Sequence, residues 1–132
     1  MEVQRETVDA PGAPAAIGPY SHAVVAGAAV PLLFCSGQIP LDPASGELVG
    51  STPADQARRC LENLRAVCEA AGTSLDRALR LTVYMTDLSA FAEVNDAYAS
   101  FFAESPPARV AVGVAQLPRG AQVEIDAIVA LP

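Results

Sequence analysis

The side chains best suited to act on a small molecule fall near the end of this 132-residue chain. Arg109 is followed at every second position by Ala111, Gly113 and Ala115, while Glu124 and Asp126 alternate with Val123 and Ile125. As strands, whose side chains alternate between faces, these segments would share one face made of Arg109, Ala111, Gly113, Ala115, Gln122, Glu124 and Asp126. Small residues beside an arginine leave room for a ligand, and a guanidinium grips a carboxylate through two parallel hydrogen bonds. A carboxylate such as Glu124 can position or activate water. The chemistry on offer is recognition of a small acid plus proton transfer. Taken singly, each residue also has a plainer reading: an arginine after the Pro106-Pro107 break is often a surface residue, and a carboxylate alternating on a strand is often its solvated side.

Other chemistries find less support. All eight basic residues are Arg, so no lysine can form a Schiff base with a carbonyl. Cys35, Cys60 and Cys68 lack metal-type spacing, and no metal or cofactor is expected. Cys60 and Cys68 read as packing residues on a helix, and Cys35 as a buried strand residue. The single histidine, His22, reads as a surface or interface residue in preference to a general base.

The elements that must hold Arg109 and Glu124 follow from periodicity. The first 20 residues read as irregular, with residues 21–29 and 32–36 as short strands and residues 47–49 as a further short one. Thr52 as N-cap, Pro53 and Asp55 open a helix that stops at Ala71-Gly72. Its apolar stripe is Ala57, Cys60, Leu61, Leu64, Val67, Cys68 and Ala71. Leu79, Leu81, Val83 and Met85 alternate as a strand. A second helix runs from Ser89 to about Ala103, with Phe91, Val94, Tyr98, Phe101 and Phe102 on one face, and Ser105-Pro106-Pro107 stops it. Residues 108–115 and 121–130 close the chain as a hairpin in which Val110, Val112 and Val114 join Val123, Ile125 and Val129 against the helices. Two helices cover only one face of such a sheet, so the other must be hidden differently. In that hairpin Glu124 lies opposite about Gly113, roughly 13 Å from Arg109 at the usual strand rise. Either a small ligand lies between them or the site is completed across a subunit boundary.

Length points to a single domain spanning 1–132, with 1–13 an irregular lead-in. The apolar fraction of 52% exceeds the usual ~45–50%, and only 17% of residues are charged, which points to oligomerisation. A net charge of −7 with no basic cluster disfavours a nucleic-acid partner. The charged, proline-containing N-terminus shows neither a signal peptide nor a membrane anchor, and the odd cysteine count fits a reducing compartment, so a cytoplasmic location is expected.

A longer pattern is more specific. Pro107-Ala108-Arg109-Val110-Ala111-Val112-Gly113-Val114-Ala115-Gln116-Leu117, five further residues, then Val123-Glu124-Ile125 resembles the signature of the Rid (YjgF-type) reactive-intermediate deaminases. Pro14-Ala15-Ala16-Ile17-Gly18-Pro19-Tyr20-Ser21 and Ser36-Gly37-Gln38-Ile39-Pro40 are similar to that family's first two motifs. Val94-Asn95-Asp96-Ala97-Tyr98 and Phe101-Phe102 resemble its second helix, so the likeness runs from about Pro14 to Val129.

The resemblance implies a chorismate-mutase-like α/β (α+β) domain, a mixed sheet with two helices on one face, assembled as a homotrimer with clefts between subunits. It implies a hydrolase of the 2-iminobutanoate/2-iminopropanoate deaminase kind, converting 2-aminoacrylate-like enamines and imines to 2-oxo acids and ammonia without a cofactor. Carried over, Arg109 binds the substrate carboxylate and Glu124 positions water. Tyr20 would line the cleft from a neighbouring subunit, Ser36 and Gly37 its wall, and Asn95 its border. Many members carry cysteine where this chain has Ala111, so thiol chemistry there is excluded. His22 stands where glutamine is common. A second reading keeps the cleft but not the reaction, as a binding or sensing module for small 2-oxo acids. A third keeps the fold with a larger enamine acid, aminomuconate-type or pyrimidine-derived. A ribonuclease or translation-inhibitor role fits poorly with the acidic charge.

Overall fold

The computed structural model describes residues 5–102 and 104–132. Its elements are β1 (Arg5–Val8), β2 (Ala23–Ala26), β3 (Leu32–Gln38), α1 (Pro53–Ala70), β4 (Ala78–Met85), α2 (Phe91–Ala99), β5 (Ala108–Gly113) and β6 (Val123–Ala130). Together they form a mixed α+β fold.

Local chemistry sets the helix ends. The Thr52 hydroxyl accepts the Asp55 N–H at 3.1 Å, and Pro53 starts α1 where its missing N–H costs nothing. Gly72, at φ +81°, lets the chain leave α1 in the left-handed conformation. Ahead of α2, Asp87 accepts the Ser89 N–H. This helix is shorter than its apolar pattern implies: it ends at Ala99, and tight turns at Phe101 and Phe102 carry the aromatic stripe onward. Ala103, the expected end, lies outside the described residues.

The first 20 residues are not wholly irregular. β1 pairs antiparallel with β2, Arg5 opposite Ala26 through Val8 opposite Ala23. Around Glu47–Val49 there is only an isolated bridge between Leu41 and Leu48.

The larger sheet has the order β3-β6-β4-β5. β4 lies antiparallel to β6 and parallel to β5, with α2 crossing between the two parallel strands. The expected β5–β6 hairpin is therefore absent, because β4 sits between these strands. Both helices pack on one side, where Leu61, Leu64, Leu81, Val83, Met85, Val94, Val123, Ile125 and Val129 form the core. Paired residues of adjacent strands share a face. Arg109 pairs with Leu81, Ala111 with Val83 and Gly113 with Met85, so all three face the helices. Val110 and Val112 instead lie on the open face, 41% and 36% exposed, and Phe34 joins them there at 70%. Glu124 pairs with Tyr84, and Asp126 with Thr82, on this same open face.

Candidate active site

Those pairings correct the sequence expectation for the two principal residues. Arg109 and Glu124 lie on opposite faces of the sheet, on strands separated by β4. Within one chain they share no cleft.

Arg109 occupies an edge strand beneath α2. Its Nη1 donates to Asn95 Oδ1 at 2.6 Å, and its guanidinium carbon lies 5.1, 5.2 and 5.4 Å from the ring centroids of Tyr98, Phe91 and Tyr20. Such ring faces attract a cation. No described carboxylate pairs with Arg109. Burial pulls its pKa below the usual value, offset in part by Tyr98 and Tyr20, although a guanidinium stays protonated. An open cleft of ≈ 430 Å³ lies against it, lined by Ile17, Tyr20, Phe91, Ala92, Asn95, Arg109 and Ala111. Burial also pushes the Tyr98 phenol well above its usual range, and its hydroxyl has no hydrogen-bond partner among the described residues.

The segment over this cleft is held by bonds within itself and to the residue that precedes β5. Tyr20 OH accepts the Ile17 N–H at 3.4 Å, and Ser21 N–H donates to Pro107 O just before β5. His22 is a clamp, not a free surface residue. Its Nδ1 accepts the Ala10 N–H at 2.9 Å, leaving Nε2 to donate to Pro14 O at 2.7 Å. Tyr20 therefore reaches Arg109 within the same chain, where the resemblance implied a neighbouring one.

Glu124 has different company. Between the pairs Cys35–Ala127 and Gln38–Ile125, two residues of β3, Ser36 and Gly37, stand opposite one of β6, a bulge that leaves both exposed. Gly37 lies against the Glu124 carboxylate, so closely that a methyl group on Gly37 would overlap Oε2. Tyr84 OH donates to Asp126 Oδ2 at 2.9 Å beside it.

The site residues thus form two groups: Arg109, Asn95, Tyr20 and Ala111 by the cleft, and Glu124, Ser36 and Gly37 on the open face. Phe91, Tyr98, Ala92 and Ile17 were missed as site residues. A signal existed, for Phe91, Asn95 and Tyr98 recur at helical spacing, and one amide on an aromatic stripe marks a polar demand from the facing strand. The three cysteines are free and buried, with burial pushing the Cys60 and Cys68 thiols up to about 12. Among the described residues no cluster of three or more His, Cys, Asp or Glu could hold a metal ion. Among the same residues, no helix is long and apolar enough to cross a membrane.

A family model described as Endoribonuclease L-PSP matches residues 10–131. The chain belongs to this family, which is also called the YjgF, RutC or Rid family. It is 48% identical to the RutC family protein PH0854 of Pyrococcus horikoshii, over 94% of this chain and 96% of that one. It is 43% identical to the 2-iminobutanoate/2-iminopropanoate deaminase of Bos taurus, over 94% and 88%. Among solved structures, E. coli TdcF with bound serine is 38% identical and superposes with a TM-score of 0.73, covering 96% of this chain and 99% of that one. The relatives thus include proteins named as imine deaminases alongside proteins that carry only the family name.

Proposed function

We propose that this protein hydrolyses 2-imino acids, and their 2-aminoacrylate-like enamine tautomers, to 2-oxo acids and ammonia. The observation that carries the reading is the Arg109 guanidinium, which is half-buried, oriented by Asn95, open to a cleft and unmatched by a described carboxylate. A substrate carboxylate would supply the missing charge through a bidentate pair. The serine bound by TdcF and the name of the bovine relative point to ligands of this kind.

Water then adds to the imine carbon, and the resulting carbinolamine expels ammonia to leave the oxo acid. Glu124 takes the proton from water and returns one to the departing nitrogen, a role worth ~10²–10⁴-fold in rate. Imines hydrolyse spontaneously, so orientation plus one carboxylate suffices, and the chain needs no lysine, metal or covalent nucleophile for this route. Because Glu124 and Arg109 occupy opposite faces, the catalytic pair is assigned to two subunits of a homotrimer, Arg109 from one and Glu124 from its neighbour. Three free, buried thiols fit a reducing, cytoplasmic setting.

The test generates imines from small amino acids and follows oxo-acid or ammonia release with wild type and Arg109→Ala. Wild type is expected to accelerate release, and Arg109→Ala to lose most of the acceleration. Equal rates with and without wild-type protein across several imines would sink the proposal.

One observation favours a second reading. Because Glu124 is absent from the Arg109 cleft of its own chain, that cleft can bind a 2-oxo acid without chemistry. Glu124→Gln separates the readings: a deaminase loses turnover and keeps binding, whereas a sensor has no turnover to lose.

A further inference from the structure

Resting on the carboxylate role of Arg109, we infer that the cleft selects acids with a bulky apolar side chain, and that Ala92 sets the size limit. One end of the cleft is polar, where Arg109 and Asn95 meet. The rest is apolar, formed by Ile17, Phe91, Ala92 and Ala111. Within the chain, no described lining side chain offers a charge or a free amide to a polar substituent, apart from the Nδ2 of Asn95, which lies on the Arg109 side near Gly18; the neighbour's Glu124 would repel an anionic one. The Tyr20 hydroxyl is engaged with the Ile17 N–H.

The cleft of ≈ 430 Å³ is open in the single chain, and a neighbour that brings Glu124 would close part of it, so the apolar lining and its small residues, not the volume, bear on selection. Ala92 and Ala111 are the small residues that open this space, and Ile17, 92% exposed, stands at its rim with nothing in its own chain to cover. A branched or aromatic side chain would lie between Ile17 and Phe91, above Ala92, while its carboxylate met Arg109. A charged side chain, as in a dicarboxylic acid, would lose its hydration there without gaining a partner.

Stable 2-oxo acids serve as probes, because their binding is read independently of turnover. Calorimetric titration would compare pyruvate, 4-methyl-2-oxopentanoate, phenylpyruvate and 2-oxoglutarate on wild type and Ala92→Phe, an exposed position early in α2. Wild type is expected to bind the branched and aromatic acids at least ~10-fold more tightly than pyruvate or 2-oxoglutarate, the lower end of what an apolar pocket discriminates per methylene. Ala92→Phe should shrink that preference to a few-fold or less. Equal affinities in wild type, a preference for pyruvate, or an unchanged ranking in Ala92→Phe would overturn the inference. If the ranking holds but no imine is hydrolysed, the deaminase reading fails and this one stands. If no oxo acid binds, this inference fails, while the deaminase reading stands or falls on imine hydrolysis alone.

Discussion

A methyl group built on Gly37 would overlap Glu124 Oε2 and lie 3.0 Å from its Cδ. The position of the Glu124 carboxylate therefore depends on a side chain that is missing. What would move is the far end of a flexible side chain, and Gly37 lacks the positive φ that would strain alanine, so Gly37→Ala should fold normally. Its stability is expected within about 1 kcal/mol of wild type. If Glu124 handles the water, its displacement should lower kcat for imine hydrolysis by on the order of 10²-fold while leaving oxo-acid affinity nearly unchanged. Stopped-flow kinetics alongside calorimetry reads both quantities. Unchanged kcat in a folded Gly37→Ala protein would remove Glu124 from the reaction. Arg109 differs from Glu124, because it is held by partners present in its own chain. Asn95 fixes one edge of the guanidinium and three rings surround it, leaving its remaining N–H groups for an anion.

At the scale of elements, Gln56 is the tie between α1 and the strand that carries Glu124. It is 2% exposed; its Oε1 accepts the Gln122 N–H at 2.8 Å, and its Nε2 donates to Gly50 O at 3.1 Å. Gln56→Leu keeps the bulk but unpairs both backbone groups, at ~1–3 kcal/mol for each that stays dry. A loss of about 1–3 kcal/mol in urea unfolding is expected, since Gly50 is exposed enough for water to replace one bond. A change below about 0.5 kcal/mol would show that water replaces both.

The helices and β4 were legible in the sequence because local patterns specify them: a cap at Thr52, a stripe from Ala57 to Cys68, and the alternation of Leu81, Val83 and Met85. Strand pairing was less legible because it is non-local. The short loop 114–122 favours a hairpin, yet the strand-helix-strand run β4-α2-β5 calls for a parallel crossover, and this won. With β5 placed beside β4, β6 had to take β4's other edge. That choice also reversed the face of Arg109. Alternating valines read as core, but on an edge strand Val110 and Val112 face outward. The motif residues themselves were legible; the partition of Arg109 and Glu124 between two faces was not.

The whole molecule has one covered and one bare sheet face. α1 and α2 shield the first, while the second presents Leu32, Phe34, Val110 and Val112, all substantially exposed, around the carboxylates of Glu124 and Asp126. Exposed apolar side chains at both edges of a bare sheet face, β3 on one side and β5 on the other, call for a partner on so small a chain. If identical chains cover it for one another, stability and catalysis become coupled, since the contact that hides Phe34 also brings Glu124 to a neighbour's Arg109. Phe34→Asp tests this coupling. Phe34 is 70% exposed in the single chain, so the substitution leaves the chain's own core intact. Sedimentation equilibrium is expected to show wild type at three times the 13.6 kDa chain mass and Phe34→Asp near one chain mass. Circular dichroism should stay native-like, and imine hydrolysis should fall with the fraction of assembled protein, recovering at concentrations that restore assembly. A variant that stays trimeric would free this face of the assembly role, and a dissociated chain with full activity would place the water-handling group within the Arg109 cleft of a single subunit.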